Sequence, residues 1–126
     1  MKDIQKIMGM LLLPKEVNEY FTISCIDIKE DIVNIELEER DEYRGAEEGH
    51  EYERNGFYDA MNVQDFPLRG KKTMLRIKRR RWVDKTTGRS VGNNYSLVAK
   101  GTRHSEEFAA FLKELIGQIP DYGPLA

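Results

Sequence analysis

RGKKTMLRIKRRRWV, residues 69–83, combines the pattern of a β-strand with a dense series of positive charges. Leu75 and Ile77 alternate with Arg76 and Lys78, which is the two-residue period of a strand with one apolar face. We define the basic run as residues 69–81, which hold eight Lys or Arg residues and no acid. Because both faces are cationic beyond Ile77, the pattern predicts a strand end that projects into solvent or onto a polyanion.

The residues after the basic run predict a paired, basic β-ribbon. We expect a long strand over residues 72–83, a turn over 84–89 and a return strand over 91–100. A two-stranded ribbon fits the major groove of DNA, and arginine binds phosphate bidentately. The predicted DNA-binding residues are Arg69, Lys71, Lys72, Arg76, Lys78, Arg79, Arg80, Arg81, Trp82, Arg89, Lys100 and Arg103. Trp82 suits stacking on a base, although an aromatic side chain packed at the base of the ribbon is the commoner arrangement.

The net charge of −2 conceals a strong division of charge along the chain. Residues 1–66 hold 7 bases and 17 acids, whereas residues 67–104 hold 12 bases and one acid. Such a division is typical of a nucleic-acid-binding surface. An acidic half that neutralises the basic half inside one fold explains it equally well. Charge alone leaves both interpretations open.

The apolar spacing predicts one α+β domain over residues 1–120, followed by a tail over 120–126. Within the domain we distinguish an acidic helix, hairpin and loop part (1–54), a basic ribbon-like part (55–104) and a helix (105–119). The predicted fold therefore has an N-terminal helix, antiparallel hairpins that include the basic one, and a C-terminal amphipathic helix.

Smaller elements follow from local signals. Ser105 is an N-cap candidate for the last helix, and Cys25 marks a bulge and is expected in the core of its hairpin. The remaining predictions are a helix over 4–13, a helical turn over 15–20, a hairpin over 21–39, a mobile polar loop over 39–55, a strand over 57–66 and a turn over 67–70.

Motifs for catalysis or metal binding are weak. His50 lies among four glutamates that suit a divalent cation, but an acidic loop is the simpler explanation. The single Cys25 excludes an internal disulfide framework and makes a reducing, cytoplasmic location the default. No nucleophile–histidine spacing, phosphate-binding glycine loop, signal peptide or membrane span is recognisable, so we expect no catalytic residue, no cofactor, no metal and no membrane partner.

Residues 63–115 (VQDFPLRGKKTMLRIKRRRWVDKTTGRSVGNNYSLVAKGTRHSEEFAAFLKEL) resemble the N-terminal region of bacterial insertion-sequence transposases of the ISL-three type. The shared pattern is an Asp-hydrophobic-Pro-Leu turn, a Gly, a basic strand with an Arg-Arg-Arg-aromatic end, and a Thr-Arg pair leading into an amphipathic helix. The matching residues are Asp65, Phe66, Pro67, Leu68, Gly70, Arg79, Arg80, Arg81, Trp82, Thr102, Arg103 and Phe108.

The resemblance implies a non-catalytic module of a mobile element, in which the basic hairpin is zinc-ribbon-like but holds no metal. The family's zinc-ribbon cysteines are missing here, and so are the DDE catalytic residues, as expected for a stand-alone N-terminal reading frame or a truncated copy. The implied function is DNA binding at the ends of the element through the basic ribbon. The alternative is a protein-interaction or regulatory module that docks onto a separate catalytic transposase subunit. A metal-dependent enzyme is a third, weaker possibility.

Overall fold

The computed structural model describes residues 13–30, 32–68, 71–101 and 104–118, with the side chains of residues 71 and 118 left out. The α+β class predicted from the sequence is confirmed. The elements, in chain order, are α1 (Val17–Tyr20), β1 (Phe21–Lys29), β2 (Ile32–Glu39), β3 (Tyr52–Phe57), β4 (Met61–Leu68), β5 (Lys71–Lys78), β6 (Arg80–Asp84), β7 (Ser90–Val91), α2 (Tyr95–Gly101) and α3 (Glu106–Gln118).

Four strands form a large sheet in the order β1-β2-β5-β4. β2 and β5 run parallel, with Val33 opposite Thr73 and Leu37 opposite Ile77, and the other neighbours are antiparallel. The predicted hairpin over 21–39 and its bulge are confirmed, because the β1–β2 register shifts between Ile23 and Cys25. Alternation along β2 buries Val33, Ile35 and Leu37 and leaves the intervening residues on the open face.

The buried face of the large sheet packs against α3. Ser105 caps this helix as predicted, because its Oγ accepts the N–H of Phe108 at 3.1 Å. The ring of Phe111 lies 5.8 Å from that of Phe21 on β1 and 6.2 Å from that of Phe66 on β4, so the helix crosses the sheet. Its buried stripe is Phe108, Phe111, Leu112 and Leu115.

Three short strands form a small antiparallel sheet in the order β3-β6-β7. The loop before β3 lies against it, and the Tyr43 ring is 4.8 Å from that of Tyr52 and 5.2 Å from that of Trp82. Arg44 also donates its backbone N–H to Asn93 Oδ1 at 2.7 Å. The prediction that this polar loop has nothing to bury is therefore wrong, because aromatic residues within it pack on the small sheet.

The predicted long strand over 72–83 is two strands in different sheets. β5 belongs to the large sheet and β6 to the small one, and Arg79 separates them. The predicted strand over 57–66 likewise divides into β3 and β4, and Pro67 and Leu68 belong to β4 rather than to a turn.

The predicted return strand over 91–100 is wrong. β7 is only two residues long, and residues 95–101 form α2. The reason is the helix start at Asn94, whose Oδ1 accepts the N–H of Ser96 at 3.0 Å. The alternating apolar residues here do not share a buried face, since Tyr95 is buried and Leu97 is exposed. The basic ribbon therefore consists of a two-pair ladder only, Trp82 with Val91 and Val83 with Ser90.

The remaining predictions concern Cys25, the helical turn over 15–20 and the two ends of the chain. Cys25 is exposed rather than in the core, because the bulge turns it to the open side of β1. The helical turn over 15–20 is found as α1. The predicted helix over 4–13 and tail over 120–126 lie outside the described residues, apart from Leu13. Within the described ranges, none of the helices has the length and apolar character needed to cross a membrane.

Candidate functional site

The end of the basic run turns into the protein instead of projecting from it. Arg79 is 2% exposed, so the predicted cationic strand end in solvent is wrong at this residue. Its Nη2 donates to the backbone carbonyl of Asn93 at 2.9 Å. Its guanidinium lies 5.1 Å from the centroid of the Tyr58 ring and 5.8 Å from that of Tyr95. These contacts place a positive charge at the junction of the two sheets.

A buried carboxylate lies at the same junction. Glu39 is 1% exposed and ends β2. One carboxylate oxygen accepts the backbone N–H of Arg80 at 2.7 Å, and the other accepts Asn93 Nδ2 at 3.0 Å and the hydroxyl of Tyr95. Burial, followed by the charge of Glu39, raises the pKa of Tyr95 well above its ordinary value, so this hydroxyl stays a donor. We call Glu39, Arg79, Arg80, Asn93 and Tyr95 the Glu39 cluster.

The pattern of the two strands explains why these charges meet. Glu39 continues the inward series Val33, Ile35 and Leu37 on β2, and Arg79 continues the inward series of β5. The parallel register pairs each β2 residue with the β5 residue forty positions later, as in Glu38 with Lys78. Just beyond the last pair, Glu39 and Arg79 both turn inward and meet the same two residues, Asn93 and Tyr95. Sequence reasoning missed Glu39, although a carboxylate on the apolar face of a strand was the available signal.

The neighbouring cations of the basic run are held by acids and carbonyls of the rest of the chain. Arg80 donates from Nε to the carbonyl of Glu39 at 2.8 Å and from Nη2 to Glu38 at 3.2 Å. Arg81 donates from Nε to the carbonyl of Asn55 at 3.0 Å. Arg76 Nε lies 3.9 Å from a Glu36 oxygen across the β2–β5 register. These contacts match the interpretation in which the acidic half neutralises the basic half.

The other predicted DNA-binding residues are dispersed. Trp82 is 4% exposed and packs on Tyr43, so it cannot stack on a base in this conformation. Lys72, Arg89 and Lys100 are exposed but belong to β5, the turn before β7 and the end of α2. Lys78 is half-buried opposite Glu38. Arg69 and Arg103 lie outside the described residues, as does the side chain of Lys71.

His50 belongs to a hydrogen-bonded pair rather than to a free acidic loop. Its Nδ1 lies 2.7 Å from Asp84 Oδ2, and Asp84 Oδ1 accepts the N–H groups of Thr86 and Thr87 at 2.9 and 3.3 Å. Nε2 faces Glu47 at 3.5 Å. The pair ties the loop before β3 to the turn after β6. In the part of the chain that the structure describes, no three His, Cys, Asp or Glu side chains are grouped so that they could hold a metal ion.

The hydrogen bond to Asp84 raises the pKa of His50 above its ordinary value of 6.5, against the smaller opposing effect of burial. For Asp84, burial raises the pKa, but the bonds from His50, Thr86 and Thr87 together hold it below its ordinary value of 3.8. Both shifts favour the ion pair between these two residues.

Two exposed isoleucines lie at one end of the large sheet, on opposite faces of it. Ile28 is 42% exposed near the end of β1, and Ile32 is 53% exposed at the start of β2. Within the described residues β1 pairs with β2 alone, so its other edge is open. The opposite edge strand, β4, carries a bulge between Val63 and Phe66 and has Pro67 in its ladder with β5. A proline discourages pairing with a further strand, and β1 has none; the bulge of β1 lies between Ile23 and Cys25, away from Ile28, so the end of β1 is the more receptive edge.

Comparison of the chain with protein-family models, with curated proteins and with solved structures found no match. The resemblance to insertion-sequence transposases stays a prediction from the residues quoted above.

We predict that Glu39→Gln lowers the free energy of unfolding by at least about 2 kcal/mol, because an amide group must then meet the N–H of Arg80 or of Asn93. Glu38→Gln is the matched control on the other face of the same strand and should cost less than about 1 kcal/mol. Urea unfolding followed by circular dichroism measures both. Equal losses for the two variants would show that the cluster has no special role.

We also predict a pH-dependent contribution from His50. Because its pKa is raised in the folded state, the stabilisation is complete below its ordinary pKa and is lost as the pH rises through the raised value. On the acid side it is lost as the pH falls through the lowered pKa of Asp84. Wild type should therefore exceed His50→Gln in unfolding free energy by more near about pH 6 than near about pH 9. A difference independent of pH, measured by urea unfolding, would contradict this.

Proposed function

We propose that the chain is a non-catalytic protein-interaction module in which the end of the basic run is a structural element. The observation that carries the proposal is the burial of Arg79 and Glu39, at 2% and 1% exposure, around their shared neighbours Asn93 and Tyr95. A buried guanidinium that donates to Asn93 has no path to a phosphate group. The proposal includes no catalytic step, and the single cysteine supports a cytoplasmic location.

The pairing of the adjacent cations supports the same function. Arg80 lies 3.2 Å from Glu38, with both side chains largely covered, so a polyanion would have to displace this carboxylate before it met Arg80. Arg76 also faces an acid, Glu36, at 3.9 Å. The exposed Ile28 at the open edge of β1 offers a surface of the opposite kind, apolar and able to form backbone hydrogen bonds. Such an edge suits a protein partner that adds an extended strand.

DNA binding as a transposase module is the second candidate. It is supported by the resemblance of residues 63–115 and by the exposure of Lys72, Arg89 and Lys100. If the five cations from Arg76 to Arg81 contacted phosphates, affinity would fall with salt at a log–log slope of roughly −4 to −5, at about −0.9 per contact. Under the protein-interaction proposal, fluorescence anisotropy on a random duplex shows no binding with such a slope.

We predict that Arg79→Ala lowers the free energy of unfolding by about 3 kcal/mol or more, since it leaves the carbonyl of Asn93 without its buried donor and removes the packing of the guanidinium on Tyr58 and Tyr95. Arg89→Ala is the matched control, because Arg89 lies exposed in the turn before β7 and its removal should change stability by no more than about 0.5 kcal/mol. Chemical denaturation measures both variants. A stable Arg79→Ala protein, together with steeply salt-dependent DNA binding by wild type, would overturn the proposal.

A further inference from the structure

The open edge of β1 carries a self-complementary sequence. Ile28 is flanked by Asp27 and Lys29, whose side chains are 51% and 79% exposed. These two charges lie on the same side of the strand, with Lys29 Nζ at 3.7 Å from Asp27 Oδ2. Lysine at a sheet edge ordinarily discourages pairing, but an acid two residues away supplies the opposite charge that a second, antiparallel copy of the strand would present.

We propose that this edge binds a second copy of the chain, with β1 of the two copies paired antiparallel about a two-fold axis at Ile28. The inference rests on the proposed protein-interaction function and names its partner. In this arrangement Asp27 lies opposite Lys29 of the other copy, and Lys29 opposite Asp27, so each dimer contains two such cross-strand ion pairs. The Ile28 side chains of the two copies lie opposite each other at the axis.

Other registers fit the same edge less well. An axis at Asp27 places two like carboxylates opposite each other, which is unfavourable. An axis at Ile26 places Asp27 opposite Cys25 and Ile28 opposite Ser24, and it forces the ladder through the bulge between Ile23 and Cys25. Only the axis at Ile28 pairs opposite charges and covers the exposed isoleucine.

The pairing also extends the core that each copy already has. Ile26 is 5% exposed and belongs to the buried face of the large sheet, and Ile28 follows it on that face at the margin. Two isoleucines meeting at the axis therefore join two existing apolar faces. Because β1 ends at Lys29, the new ladder spans residues 27–29 of each copy and joins the two four-stranded sheets through this short stretch.

Sedimentation equilibrium of the full chain tests the inference. The weight-average mass of wild type should rise with concentration toward twice the 14.7 kDa of the monomer. Asp27→Lys and Lys29→Asp should each weaken association at least tenfold, since each places like charges opposite one another twice per dimer. The double variant Asp27→Lys/Lys29→Asp should restore association, because the pairs are re-formed with reversed sign. Circular dichroism confirms that each variant is folded.

Isoleucine variants provide the matched control. Ile28→Lys places two lysines at the axis and should abolish the dimer. Ile32→Lys removes a similarly exposed isoleucine one strand further from the edge and should leave the association unchanged.

Disulfide trapping tests the register. Ile28→Cys in a Cys25→Ser background should form a disulfide-linked dimer on mild oxidation. Wild-type Cys25 should not, because six residues of strand separate the two thiols by roughly 20 Å along the ladder. Crosslinking through Cys25 but not through residue 28 would contradict the proposed axis.

A monomeric mass up to about 1 mM would overturn the inference, since it excludes even weak self-association. A wild-type dimer that is indifferent to Ile28→Lys and to both charge reversals would overturn the assigned surface. A different measurement tests the proposed function, which steeply salt-dependent DNA binding in the anisotropy experiment would contradict. The failure of the dimer and the failure of the proposed function are therefore distinguishable.

Discussion

One buried carboxylate constrains the arrangement of both sheets. Moving an ionised carboxylate out of water costs several kcal/mol unless donors and a counter-charge surround it. Glu39, at 1% exposure, receives those donors from Arg80 in β6, from Asn93 before α2 and from Tyr95 in α2. Because the donors come from two segments, β6 and residues 93–95, satisfying this single charge determines where the small sheet and α2 meet the large sheet.

Asn93 extends this constraint to the loop before β3. Its side-chain oxygen accepts the N–H of Arg44 at 2.7 Å, its Nδ2 also donates to the carbonyl of Glu42 at 3.0 Å, and its backbone carbonyl accepts from Arg79. Gly92 beside it has no space for a side chain, since a Cβ there would lie 3.0 Å from the Tyr58 ring and 3.1 Å from Arg79 Nη2. Residues of the acidic half and of the basic half of the sequence thus meet around Asn93.

Local patterns predicted the hairpin over 21–39 and the helix that Ser105 caps, because alternation in β2 and the apolar stripe of α3 are complete within short stretches of sequence. The junction was not predictable in this way. Glu39 bonds to Tyr95, 56 residues later, and that contact is invisible to any local period. The alternation of Tyr95 with Leu97 suited a strand, and only the side chain of Asn94 distinguishes the helix. Charge and aromaticity alone also do not reveal that Arg79 and Trp82 are buried, because neither property shows which face of a strand points inward.

The central claim is that Arg79 is enclosed by the fold and holds the two sheets together through the Glu39 cluster. Modification of the native protein with an arginine-specific dicarbonyl reagent, followed by peptide mass spectrometry, tests it without any mutation. The account predicts that Arg89, exposed in the turn before β7, is modified readily, while Arg79 becomes reactive only when the protein is unfolded in urea. Modification of Arg79 at the rate of Arg89 in the folded protein would contradict it.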